Sequence, residues 1–283
     1  IIFILFMKNI HQLLLPTIFF ATGFILNSCT KIIDMNVPEK EKKLVVNGVI
    51  CPDSIICVNI SKSLGILENN DQNVFINDAE VTIYEDDIKK EILRFLNDGD
   101  YTASFTPSQN KTYKIEVSHA VYTSVSATSY IPAKIPITID TASGYNQSYG
   151  SGVLSCKLKF KDPANENNYY LMRVFDESHR HVYLSLSDNE PVVKEYGGDY
   201  LFTDNLIDGK EYILNFDLNS LYTYYKIVFY QITKDYYNYL VSYHNNNNSD
   251  DPFSEPVIVY SNIKNGYGIF SGYNKEEREI IIK

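Results

Sequence analysis

The sequence predicts a mostly β protein: an N-terminal immunoglobulin-like β-sandwich followed by a second β-rich domain with one short helix. Three observations predict it. Tyr and Phe number 24 and 15 while Trp is absent, and aromatic and β-branched residues suit pleated, half-buried surfaces. Several short runs alternate apolar and polar residues with period two. Asn, Asp, Gly and Pro break these runs at intervals of roughly 8–12 residues, the spacing expected of sandwiches.

The elements follow in order. Residues 44–50 and 55–60 form an expected first hairpin around Pro52-Asp53-Ser54, a turn signal. Residues 79–84 alternate, which puts Val81 and Ile83 on one face and Thr82 and Tyr84 on the other. A turn at Asn97-Asp98-Gly99-Asp100 leads to strand 101–105, and strands 111–117 and 122–127 complete the sandwich, residues 43–133. No Cys-Trp-Cys core is present, so the expectation is sandwich architecture and not an antibody-type domain. Pro132 and Pro136 stiffen 131–136 and remove two ladder donors, so this stretch reads as a linker.

The second domain, residues 134–283, has expected strands at 153–161, 169–175, 182–186, 212–218 and 224–231. Thr233 is the N-cap candidate of the single expected helix. Tyr236, Tyr239, Leu240 and Tyr243 fall at i, i+3, i+4 and i+7 on it, a stripe that favours core packing over a ligand site. Residues 245–251 are low-complexity and polar, an expected loop. In the C-terminal string, Gly266, Gly268 and Gly272 allow positive φ or close backbone approach. This string reads as a packed irregular segment closing the second domain.

The first 28 residues are an address and not structure. Residues 1–6 read as upstream translation, with Met7 the expected start and Lys8 a short positive region. The apolar stretch 13–26 is shorter than the about 20 residues that a spanning helix needs. It ends in Leu26-Asn27-Ser28-Cys29, which resembles a lipobox, although Asn27 stands where a small or β-branched residue is usual. Cys29 is therefore the expected lipidation site, with 29–42 as anchor and tether. Cleavage as an ordinary secretory peptide is the alternative.

The formal net charge is −10, from 35 acidic and 25 basic residues. With no basic stripe, this excludes a nucleic-acid binder. Cys51, Cys57 and Cys156 are odd in number, so a disulfide framework is excluded. Cys51 and Cys57 either face each other across the first hairpin as a bridge or are two small buried residues.

No catalytic residue, metal site or cofactor is expected. The sequence has no G-x-S-x-G, no H-E-x-x-H, no phosphate-binding loop and no G-x-G-x-x-G. His179 and His181, at i and i+2, suit metal ligation on a strand, but Asp176-Glu177-Ser178 before them favours a solvated turn. Glu85-Asp86-Asp87 and Asp250-Asp251 lack the oxygen spacing of a calcium loop and read as loop tips.

Three pieces of the mature chain together resemble the Bacteroidetes lipoproteins grouped as domain of unknown function 4249. They are Cys29 followed by Leu44-Val45-Val46-Asn47-Gly48-Val49-Ile50, then Phe160-Lys161-Asp162-Pro163 leading into Asn168-Tyr169-Tyr170, and then Asp251-Pro252-Phe253-Ser254-Glu255-Pro256-Val257 with 260–273. Tyr267 departs from the family, which commonly has a small or aliphatic residue there. The resemblance implies an outer-membrane lipoprotein that accompanies a TonB-dependent receptor in nutrient capture. The expected function is a non-enzymatic binding or accessory subunit tethered through its lipid. The alternatives are an enzyme acting on glycans or peptides and a structural or adhesive surface protein. The candidate ligand or partner surface is Tyr260, Asn262, Tyr267 and Tyr273.

Overall fold

Alternation sets the first strands. In β1 (Leu44–Ile50), Leu44, Val46 and Ile50 turn inward while Asn47 faces solvent. The turn at 52–54 returns the chain as β2 (Cys57–Lys62), which pairs antiparallel with β1 as expected. The structure is a computed structural model that describes residues 41–65, 68, 74–146, 151–186, 193–219, 222–247 and 257–282. The expected leader, Cys29, the expected tether to residue 40, Asp250-Asp251 and the 251–256 part of the C-terminal string lie outside the described residues.

The remaining strands of the first half are β3 (Glu80–Glu85), β4 (Ile88–Ile92), β5 (Arg94–Phe95), β6 (Asp100–Thr102), β7 (Thr112–Ser118) and β8 (Val125–Tyr130). Asp86 and Asp87 both take positive φ, 48° and 62°, and make the two-residue turn between β3 and β4. The acidic run is thus a hairpin tip. The second half contributes β9 (Ile137–Asn146), β10 (Ser151–Lys161), β11 (Tyr169–Asp176), β12 (Ser185–Leu186), β13 (Lys194–Tyr196), β14 (Asp199–Thr203), β15 (Glu211–Asn219) and β16 (Tyr224–Ile232). Helix α1 (Lys234–Asn247) and β17 (Tyr267–Ile281) complete it. The protein is mostly β, with one helix among the described residues, and is built as stacked sheets.

One sheet has nine strands in the order β13-β14-β11-β16-β17-β1-β2-β6-β5; two four-stranded sheets, β4-β3-β7-β8 and β12-β15-β10-β9, cover its two ends. Each cover closes its own core. Val46, Ile60, Val81, Ile83, Ile115 and Val117 fill the first, and Leu158, Phe160, Tyr170, Phe202, Leu214 and Phe229 fill the second. On the opposite face of β11, Leu171 meets Leu201, Ile232 and Leu240 of α1. Between the cores, 131–136 carries no strand, yet Ile131 and Ile135 are buried.

The C-terminal string is not irregular throughout. From Tyr267 it is β17, 15 residues long, parallel to β1 on one side and antiparallel to β16 on the other. Its close glycines and its Lys275-Glu276-Glu277-Arg278 run disguise the strand in sequence. Both features have tertiary reasons. A Cβ on Gly268, whose φ is +102°, would lie 2.1 Å from the Val46 carbonyl oxygen, and one on Gly272 would lie 2.2 Å from that of Tyr130. The charged run pairs outward, with Lys134 on Glu276 and Lys226 on Glu277.

The thiols of Cys51, Cys57 and Cys156 are all free, so the Cys51–Cys57 bridge does not form. Cys51 is buried but Cys57 is exposed, which departs from both sequence alternatives. His179, with φ 60°, and its neighbours form a solvated turn whose backbone Asp176 caps through Ser178 and Arg180. Burial pushes the Cys156 thiol up to about 12, which leaves it an inert core residue.

Candidate functional site

The C-terminal candidate surface is assembled on α1. Thr233 caps the helix as expected, accepting the Tyr236 N–H at 3.3 Å. Asp235, in the first turn where the helix dipole favours an anion, accepts the Tyr260 hydroxyl at 2.6 Å and the Asn262 amide at 3.2 Å. Two turns on, Ser242 Oγ accepts the Tyr260 N–H at 2.7 Å. These bonds draw the segment after residue 257 along the helix. Asn262 then exchanges two bonds with the backbone of Phe270, at 2.7 and 3.0 Å, and so acts as a strand partner for β17.

Between helix and segment lies an open, mainly apolar groove of about 570 Å³ whose lining includes Asn238, Ser242, Ile258, Tyr260, Ile263 and Tyr267. Tyr267 is half exposed, and the Lys43 ammonium stands 5.4 Å from its ring centre, within cation–π range. Burial and then Asp235 push the Tyr260 phenol up to about 12, so it stays a neutral donor. The structure therefore brings Tyr260 and Tyr267 together in one groove. Asn262 stands behind them as a backbone brace. Tyr273 is elsewhere, packed edge-on against Tyr230 at 5.4 Å in the layer under the helix, with its phenol pushed up by burial and then by Cys51.

The helix stripe packs only in part. Leu240 is buried, Tyr236 and Tyr239 are half-buried, and Tyr243 is exposed and stacked on Tyr239. Tyr237 and Val241 join the packed side instead. Beneath it, Arg173 clamps Asp199 through two bonds of 2.6 and 2.8 Å, and His244 of the helix reaches the same carboxylate at 3.2 Å. Burial would raise the Asp199 carboxyl, but the bonds and charge of Arg173, with His244, hold it below its ordinary value. Arg173 also lies over the Tyr230 ring, and Tyr196 stacks on His244 at 5.3 Å. The network fastens the last turn of α1 to the nine-stranded sheet.

A second cluster was not foreseen. Asp162, Asp204 and Asp208 bring carboxylate oxygens within 4.8 Å of one another, oxygen donors of the kind a hard cation takes. All three accept protein hydrogen bonds. Asp162 takes the Tyr170 hydroxyl and, at 2.9 Å, the Gly209 N–H; Asp204 takes the Asn168 N–H at 2.7 Å; Asp208 takes the Asn165 N–H at 2.8 Å. Burial, and then the charges of Asp204 and Asp208, raise the Asp162 carboxyl. The Phe160–Pro163 and Asn168–Tyr170 motifs are thus two sides of one polar knot, buried at Asp162 and Asp204 and exposed at Asp208. Its only sequence signal was the pairing of those motifs, since Asp204 and Asp208 lie more than thirty positions away.

No curated protein sequence matches the chain. Among solved structures, chitinase ChiA74 from Bacillus thuringiensis aligns at 13% identity over 65% of this chain and 28% of that one, with a TM-score of 0.20, a likeness too small to bear on fold or activity. The sequence profile of one family, however, matches residues 30–279, most of the chain. The chain belongs to that family, described as a domain of unknown function (DUF4249).

Proposed function

We propose that the protein is a lipid-anchored accessory subunit, a non-enzymatic binding module held on the outer membrane through Cys29 and working beside a TonB-dependent transporter in nutrient uptake. The observation that carries this is the groove of Tyr260 and Tyr267. Its aromatic faces offer apolar contact, its Ser and Asn neighbours offer hydrogen bonds, and it is braced by a helix fixed through Asp235 and Asp199. Rigid aromatic anchors on a supported frame suit recognition of a sugar, peptide or protein surface. The lipobox-like Leu26–Cys29 sequence supports the anchor, and about 0.8 kcal/mol for each buried CH₂ keeps a multiply acylated chain on its bilayer.

The test is co-purification from detergent-solubilised membranes of the native host, with wild type beside Tyr267→Ser. Tyr267 makes no side-chain hydrogen bond among those described and is half exposed, so its loss leaves the fold intact. Wild type is expected to bring down a transporter and Tyr267→Ser to bring down much less. Recovery of wild type without any transporter in several detergents would remove the proposal.

A further inference from the structure

We infer that the pole of the fold where the chain enters from its tether is a membrane-contacting surface, with Val121 and Ile258 seated among lipid headgroups and Tyr267 at their level. The inference rests on the anchoring through Cys29 proposed above and adds an orientation to it.

Topology puts these residues at one end. Because β1 and β17 are parallel with Val45 opposite Tyr267, the start of both strands, and hence the entry of the chain at Lys43, lies at the same pole. The start of β8 lies there too: Ser126 bridges to Lys264, and a Cβ on Gly266 would meet the Leu44 carbonyl oxygen at 2.6 Å and the Val125 side chain at 2.8 Å. The loop ahead of β8 carries Val121, 78% exposed, and the groove rim carries Ile258, 91% exposed.

Single exposed apolar residues are common and need no explanation. Here the tether changes their weight. Cys29 precedes Lys43 by only fourteen positions, so an acylated chain holds this pole within about 50 Å of the bilayer at full extension. A contact too weak to recruit a free protein is then made intramolecular, at an effective concentration that reaches about millimolar for short tethers. Around the pole Lys42 pairs with Glu68, Asp78 with His119, Lys43 lies over Tyr267, and exposed Glu80 and Lys264 are of opposite sign, so no block of negative charge opposes approach. A tyrosine with an apolar ring and a wet hydroxyl suits the headgroup level.

The absence of Trp from the chain provides a clean reporter. Three acylated single-Trp forms, Val121→Trp, Ile258→Trp and Ile88→Trp, would be reconstituted on phosphatidylethanolamine–phosphatidylglycerol vesicles containing brominated lipid. Ile88 is 69% exposed but follows the β3–β4 turn, at the opposite end of β3 from the pole, and serves as the control. Insertion to a depth of about 5–10 Å predicts strong bromine quenching at 121 and 258 and little at 88. Equal, weak quenching at all three sites in vesicle-bound, acylated protein would overturn the orientation while leaving the anchor standing. Mass spectrometry finding an unmodified Cys29 in the mature protein would instead overturn the anchor, and with it the tether on which the orientation depends.

Discussion

The two cores of the molecule are built from different materials. The first is mainly aliphatic, with Leu44, Val46, Ile60, Val81, Ile83, Ile115 and Val117 all fully buried and Tyr101, Tyr113 and Phe270 among them. The second is aromatic: Phe229 lies 4.8 Å from Phe160 and 5.4 Å from Tyr170, and Tyr170 lies 5.1 Å from Phe202. Aliphatic side chains ask only to leave water, so alternation along each strand suffices to place them. Buried tyrosines also need partners for their hydroxyls. In the second core Asp162, eight positions away, serves Tyr170, and the Leu184 N–H, sixteen positions away, reaches Tyr200 at 2.5 Å; the tyrosines of the first core reach farther, Tyr101 to the Ile76 carbonyl and Tyr113 to Glu85. The difference teaches that buried tyrosines commit polar partners to structural duty in either core, and that in the second the partner of Tyr170, the Asp162 carboxylate, is itself buried, whereas the Asp199 cluster holds the helix on the other face.

The largest expected break is Phe229→Ala. Removing a ring that touches three others should cost about 3–5 kcal/mol, against about 2–5 for Ile115→Ala in the first core. Denaturant unfolding should still show one transition for each variant, because β17 pairs with strands of both halves. Two separated transitions would show that the cores fold independently.

Next comes Asp199→Asn, which leaves the Arg173 guanidinium buried without its counter-charge and should destabilise by on the order of 3 kcal/mol. The pH dependence has a definite sign. Since the Asp199 carboxyl is held below its ordinary value in the fold, its contribution is fully present above about pH 4 and is lost as the pH falls through the folded value. The variant should therefore flatten the acid limb of the stability curve; an unchanged limb would mean that the clamp contributes nothing.

Tyr170→Phe sharpens the contrast between the cores. It strips Asp162, only 1% exposed, of a donor and should cost about 1–3 kcal/mol. Tyr113→Phe in the first core should cost less, because its partner Glu85 is less buried than Asp162 and keeps the Lys90 ammonium. Equal losses would argue that burial of the acceptor is immaterial. Smallest is Thr233→Ala, where loss of the N-cap should lower stability by about 1 kcal/mol, measured by thermal unfolding. It should loosen the groove side of α1 without touching either core.

Much of the fold was legible because its signals are local. The β1–β2 hairpin, β3, β7, β10, β11, β15, β16 and the Thr233 start of the helix all follow from alternation, turn residues or a cap. β4, β5, β9, β13 and β14 were missed, and β17 was read as irregular from Gly266, Gly268 and Gly272. Those glycines answer to Leu44, Val46 and Tyr130, residues more than a hundred positions away. Of the candidate surface, Tyr260 and Tyr267 meet in a groove, whereas Asn262 and Tyr273 turn to bracing and packing.

By itself the sequence determined the β class, the strand faces, the single helix and its cap, and membership in its family, since each rests on neighbouring residues or on a shared string. Only the tertiary structure decided that one long strand joins both halves, that Asp162 meets Asp204 and Asp208, and which tyrosines stay at the surface. Those outcomes depend on contacts closed across long loops, where the chain's order carries no local trace of the partner.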